Sequence, residues 1–192
     1  GTAKGVTLEN GESIDAKTVI SSVDPYITFN RLISDQYLPE EFVTSINQID
    51  FSSPVCKMNL LLSELPDFIA LQGKTIGPQH HGTIHISPTM DYIERAYDDA
   101  KYGKPSQRPV LECTIPTTVD NSLAPEGKHL MGIFCQYAPY EIKNSSWEQE
   151  KNMFADTIIN TLTKYAPNFR NSILDYELLT PVDLESIFGL TG

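Results

Sequence analysis

The sequence predicts an α+β fold, with a mixed, mostly antiparallel sheet backed by helices. Three observations carry that reading. Strand-like runs with period-two alternation arrive singly or as hairpins. Helical runs fall between them without a βαβ rhythm. The 192 residues suffice for one buried core, with room for fragments of a second domain.

The elements follow in order. Gly5–Pro25 reads as three short extended runs, the first two joined at Asn10-Gly11. Asn-Gly between alternating residues predicts a hairpin closed by a type I′ turn, which needs φ > 0 at both central positions. Asp24 is placed to cap a short helix with Pro25 at its first position, carrying Ile27, Leu32 and Ile33. Pro39 opens a second helix whose Phe42, Ile46 and Ile49 share one face. Val55–Leu62 alternates as a strand, with Cys56, Met58, Leu60 and Leu62 on one side and Val55, Lys57, Asn59 and Leu61 on the other. Residues 66–79 read as loop, 82–87 as strand, and 91–102 as a helix with Ile93, Ala96, Tyr97 and Ala100 inward, ended by Gly103. Val110–Ile115 and His129–Gln136 are two further strands around the turn signal Ala124-Pro125-Glu126-Gly127. The strongest helix is Trp147–Ala166, with a capping box expected from Ser146 and Gln149. Phe154, Ile158, Leu162 and Tyr165 form its buried stripe, and Pro167 stops it.

Composition excludes several classes of function. A formal net charge of −11 opposes phosphate backbones and anionic lipid, so no nucleic-acid partner is expected. No apolar run approaches the roughly 20 residues a bilayer-spanning helix needs, so no transmembrane segment is expected. Cys56, Cys113 and Cys135 each sit in an apolar strand-like run, which suits buried reduced thiols in an intracellular protein. That places it in the cytoplasm, or in the mitochondrial matrix if the source is eukaryotic. Asn144-Ser145-Ser146 matches a glycosylation sequon, but nothing else in the chain suggests secretion. Oligomeric state is not readable from the chain.

The titratable clusters are few. His80, His81 and His85 invite a metal reading, yet on a strand His81 and His85 share a face about 13 Å apart, at ~3.3 Å per residue. A zinc ion needs its nitrogens about 2 Å away, so no metal is expected and the histidines read as hydrogen-bonded or pocket-lining groups. No Gly-x-Ser-x-Gly elbow supports a hydrolase, and no Gly-rich phosphate loop is present. Lys57 stands out because a lysine in the middle of an apolar strand loses several kcal/mol of solvation if it points into the core. It therefore faces solvent or a polar cavity, with Asn59 beside it. Tyr137 and Tyr140 flank Pro139 where the last strand leaves the sheet, a position from which either could line a substrate cavity.

Several stretches carry a family resemblance. They are AKTVISSVDP from Ala16, Leu38–Phe42, Ser53–Lys57, HHGTIHI from His80, Leu123–Gly127, Gln136–Tyr140 and TPVDLESIFGLTG from Thr180. Spread in order over nearly the whole chain, they resemble FAD-dependent oxidoreductases of the phytoene desaturase/amine oxidase type. The resemblance implies that the chain is a fragment of a larger parent. Residues 1–25 would be a piece of the FAD domain, 26–180 the substrate-binding domain and 181–192 the start of the return to the FAD domain. The family's Gly-rich dinucleotide turn is absent, so FAD is implied for the parent and none for this fragment, which alone would be inactive. The parent would oxidise, desaturate or isomerise a small or lipophilic substrate by hydride transfer to flavin. The alternative is a non-catalytic relative acting as an interaction or regulatory protein. Lys57 would lie over the flavin as a catalytic group, with Asn59, His81, His85, Tyr137 and Tyr140 contacting substrate.

Overall fold

The computed structural model describes residues 1–51 and 54–191. Ser53 and Gly192, which end two of the stretches above, lie outside the described residues. The chain forms two compact units. One holds Gly1–Phe51 with Gly189–Thr191, and the other the described residues of Ser52–Phe188. The divisions fall after Phe51 and Phe188, whereas the sequence reading set its domain boundaries at 25 and 180.

The first unit opens with the expected hairpin, β1 (Gly5–Thr7) against β2 (Ser13–Asp15). Its turn is not type I′. Leu8 N–H donates to Glu12 O and Gly11 N–H donates to Leu8 O, closing a three-residue loop. Only Gly11 there has a positive φ, at +87°. The Asn10 side chain accepts from Glu12 N–H at 2.9 Å, a bond that suits a type I turn followed by a left-handed glycine. The third extended run, after Ala16, joins no sheet. Asp24 caps α1 (Pro25–Ile27) as expected, accepting from Ile27 N–H at 2.9 Å. Its other carboxylate oxygen accepts from the Thr191 hydroxyl at 2.8 Å, which ties the two ends of this unit together. In α2 (Glu40–Asn47) only Ile46 is buried, while Phe42 and Ile49 stay over a third exposed. Phe42 instead meets Phe29 edge to face at 4.9 Å.

The second unit is built on five strands in the order β4-β5-β6-β3-β7, every neighbouring pair antiparallel. They are β3 (Val55–Leu62), β4 (Ile84–Ile86), β5 (Val110–Thr114), β6 (His129–Gln136) and β7 (Ile173–Leu179). Alternation sorts each strand onto two faces. Cys56, Met58, Leu60, Leu62, Leu111, Cys113, Met131, Ile133 and Cys135 line one face and are almost wholly buried. The long helix α4 (Trp147–Thr163) packs into that cluster through Phe154, Ile158 and Leu162. At roughly 1.5–3 kcal/mol for each fully buried large aliphatic side chain, this layer dominates the unit's stability.

Three helices complete the second unit. In α3 (Met90–Lys101) Ala96 and Ala100 are buried, and Gly103 takes the left-handed position after its end, at φ +79°. The capping box expected at Ser146 does not form. The neighbouring Ser145 hydroxyl instead donates to the Glu150 carboxylate at 2.7 Å, a charge-assisted bond, with the Gln149 side-chain oxygen 3.2 Å from the same hydroxyl. Past Ala166, α5 (Phe169–Ser172), β7 and α6 (Pro181–Phe188) carry the chain on.

Candidate functional site

The other face of the sheet is the candidate site. On β3 the apolar residues claim one parity, which leaves Lys57 and Asn59 on the opposite side. Register extends that side across the sheet. One row reads His85, Glu112, Phe134, Lys57, Leu179, and the next Thr114, Gly132, Asn59, Glu177. Asn59, Thr114, Glu177 and His85 are exposed, and Lys57 and Glu112 are half-buried. Phe134 is 38% exposed, far more than a phenylalanine on the covered face would be.

The Lys57 side chain does not stand out into solvent but lies along the sheet over Gly132. A Cβ built at Gly132 would sit 2.7 Å from Lys57 Nζ, 3.5 Å from its Cε and 3.6 Å from Thr114 Oγ1. Among the described residues no carboxylate lies within ion-pair distance of that ammonium. The site therefore presents one cation, a carboxamide, a hydroxyl and an exposed ring, with the Glu112 and Glu177 carboxylates on the same face but outside ion-pair distance of the cation. Lys57 is the group on this face that would stabilise negative charge gained by a ligand lying over it.

The remaining sequence candidates are dispersed. His85 lies on the same face at the far edge, three strands from Lys57, or about 14 Å at ~4.8 Å per strand. It also borders an apolar pocket of about 370 Å³ with Phe68, Leu71, Ile84 and Tyr165. His81 is exposed before β4 and joins no row of the sheet. His80 is fully buried: its Nδ1 accepts from Gly77 N–H, so its Nε2–H donates to Pro66 O at 2.8 Å. Burial, then the neighbouring His80, pushes the His129 imidazole below its usual range. Among the described residues no three His, Cys, Asp or Glu side chains converge as a metal site. Tyr137 packs edge-on against Tyr97 of α3, with ring centres 5.5 Å apart. The Tyr140 hydroxyl donates to the Glu185 carboxylate, which holds its pKa up. Sequence reasoning missed Glu112, Thr114 and Gly132. The parity of Leu111 and Cys113 on β5, and of Met131, Ile133 and Cys135 on β6, already leaves them on the open side.

An antiparallel sheet with helices on one face is the class of fold defined here. A crystal structure of a Pyrococcus furiosus protein shares it, with a TM-score of 0.51 at 18% identity over 91% of this chain and 34% of that one. The family comes from sequence. The mouse and rat forms of pyridine nucleotide-disulfide oxidoreductase domain-containing protein 2 are each 41% identical over 199 residues, spanning 100% of this chain and 34% of theirs. Carrot prolycopene isomerase is 29% identical over 188 residues, 94% of this chain and 27% of its own. No family model matches the chain. The chain is thus related over its whole length to the rodent oxidoreductase domain-containing proteins and over most of it to an isomerase, and the resemblance read from its stretches is borne out. It spans about a third of the length of the curated relatives it matches. Among the described residues no helix is long and apolar enough to cross a membrane.

Proposed function

We propose that this chain is the substrate-binding part of an FAD-dependent oxidoreductase, and that the flavin ring of the full-length protein lies over the open sheet face. The observation that carries the reading is the Lys57 ammonium laid on that face beside Asn59. Gly1–Phe51 and Gly189–Thr191 are then portions of the FAD-binding domain, and the five-stranded sheet with its helices is the substrate domain.

The residues present fit one part of the cofactor and not the other. A sheet face that carries a lysine ammonium over Gly132, a carboxamide and a hydroxyl would accept an isoalloxazine ring. A Gly-rich strand-to-helix turn for the diphosphate is missing from the sequence, so that part must be held by chain outside these residues. A flavin held there would supply the acceptor for a hydride from substrate. Lys57, whose ammonium lies over Gly132, would supply positive charge to electron density gained by a ring bound on that face. Asn59 offers a donor and an acceptor to orient the substrate or an ordered water. The exposed Phe134 on this face suits a small or lipophilic substrate that is oxidised, desaturated or isomerised.

The test uses the full-length protein. It should purify with bound flavin near one per chain, and Lys57→Met should fold normally while slowing reoxidation of the photoreduced flavin by dioxygen. A full-length protein without flavin would favour a non-catalytic interaction role. A Lys57→Met protein that reoxidises at the wild-type rate would remove the lysine from the mechanism.

A further inference from the structure

Glycine inside a strand weakens it, since it adds backbone entropy to the unfolded chain and contributes no side chain to pack. Gly132 occupies such a position, near the middle of β6 with strands paired on both sides. It does not serve a turn or a left-handed conformation, because its φ is not positive. The space above it explains it. The diagonal neighbour Lys57 reaches across from β3, and its Nζ takes the place a Cβ would need, 2.7 Å from that position. Real Cβ contacts do not come that close, so any side chain at residue 132 displaces the ammonium. Thr114 Oγ1, 3.6 Å from the same point, bounds the gap on the side of β5.

We propose that Gly132 is a positioning residue for Lys57: its missing side chain forms a seat, bounded by Thr114, that fixes the ammonium flat against the open sheet face. The catalytic consequence rests on the flavin reading above, whereas the seat itself is a property of this chain's own residues. A lysine stem has four rotatable bonds, so an unseated ammonium samples many positions. The seat converts a mobile surface charge into a located one. Location is what electrostatic stabilisation of a developing charge requires.

The experiment compares the wild-type full-length protein with Gly132→Ala, Lys57→Met and the double variant. The first readout is the rate of acetylation of Lys57 by acetic anhydride, mapped by mass spectrometry, and needs no flavin. Gly132→Ala should raise that rate, because the amine is pushed out of its seat toward solvent. An unchanged rate in a folded Gly132→Ala protein overturns the proposal. The second readout is reoxidation of the photoreduced flavin by dioxygen. Gly132→Ala should slow it at least tenfold, toward the ~10²-fold that a misplacement of about 1 Å costs. The same substitution should change nothing further in the Lys57→Met background. An equal loss in both backgrounds would mean that the glycine serves the sheet and not the lysine. Failure of Gly132→Ala to fold decides the matter too: rescue by Lys57→Met supports the seat, and misfolding in both backgrounds refutes it. If the labelling result holds while Lys57→Met reoxidises normally, the seat stands and the flavin role of Lys57 falls.

Discussion

Cys56 and Cys135 face each other directly across β3 and β6, and both are wholly buried, as is Cys113. Burial pushes all three thiols well up, Cys113 to about 12, so almost no thiolate exists at neutral pH. A disulfide reagent at pH 8 should therefore leave the folded chain unlabelled and titrate three thiols once urea unfolds it. Rapid labelling of any of them before unfolding would contradict the buried assignment. The sequence made these residues readable, because a cysteine within an apolar alternating run has few other places to be. Lys57 was readable for the complementary reason, since a charge on an apolar strand must take the other face. Gly132 was not. Its meaning depends on which residue of a distant strand lies diagonally across from it, and a glycine adds no hydrophobic signal of its own.

Among elements, α6 shows how one side chain can hold a helix start. Thr180 precedes it and donates both its N–H and its hydroxyl to Asp183 Oδ2 at 2.9 Å, while Asp183 N–H donates back to the Thr180 hydroxyl. Lys151 of α4 adds an ion pair to the same oxygen at 2.8 Å. Replacing Thr180 by alanine should cost about 0.5–2 kcal/mol in urea denaturation, the usual range for a lost N-cap. Burial raises the Asp183 carboxyl, but the bonds from Lys151 and Thr180 outweigh it and hold the group below the usual aspartate value. A depressed folded-state value stabilises above the unfolded value, roughly pH 3.9, and that stability disappears as pH falls through the folded value. The urea midpoint should therefore drop on acidification below about pH 4, and Asp183→Asn should flatten the drop. Neither α6 nor β7 was legible in the sequence. In β7 the alternation of Leu174, Tyr176 and Leu178 with Asp175 and Glu177 is present, but the strand lies at a sheet edge and most of it is exposed. Its apolar residues therefore give a weak contrast. At the Asn10-Gly11 turn the hairpin was legible and the turn type was not, because the Asn10 side-chain bond to Glu12 selected the longer loop.

At the scale of the molecule, the sheet that carries the site was predicted from parity, and its strands β3 and β6 lie where alternation placed them. Its order was not, since single alternating runs do not say which of them pair. The order puts β3 in the interior of the sheet, flanked by β6 and β7, both later in the chain. Removing Ile173–Leu179 should therefore give an aggregating chain rather than a smaller stable domain, checked by size-exclusion chromatography of the truncated protein. A monodisperse, cooperatively melting truncation would show that β7 is dispensable.

That order also has a cost in time. A ribosome extends the chain at about 5–20 residues per second, so β3 emerges several seconds before the strand that completes its second edge. Until β6 and then β7 are made, Met58, Leu60 and Leu62 belong to a nascent strand with one or both partners missing. Pairings so distant in sequence also slow refolding from denaturant. The newly made chain is therefore a natural client for a chaperone that shields apolar strands during synthesis.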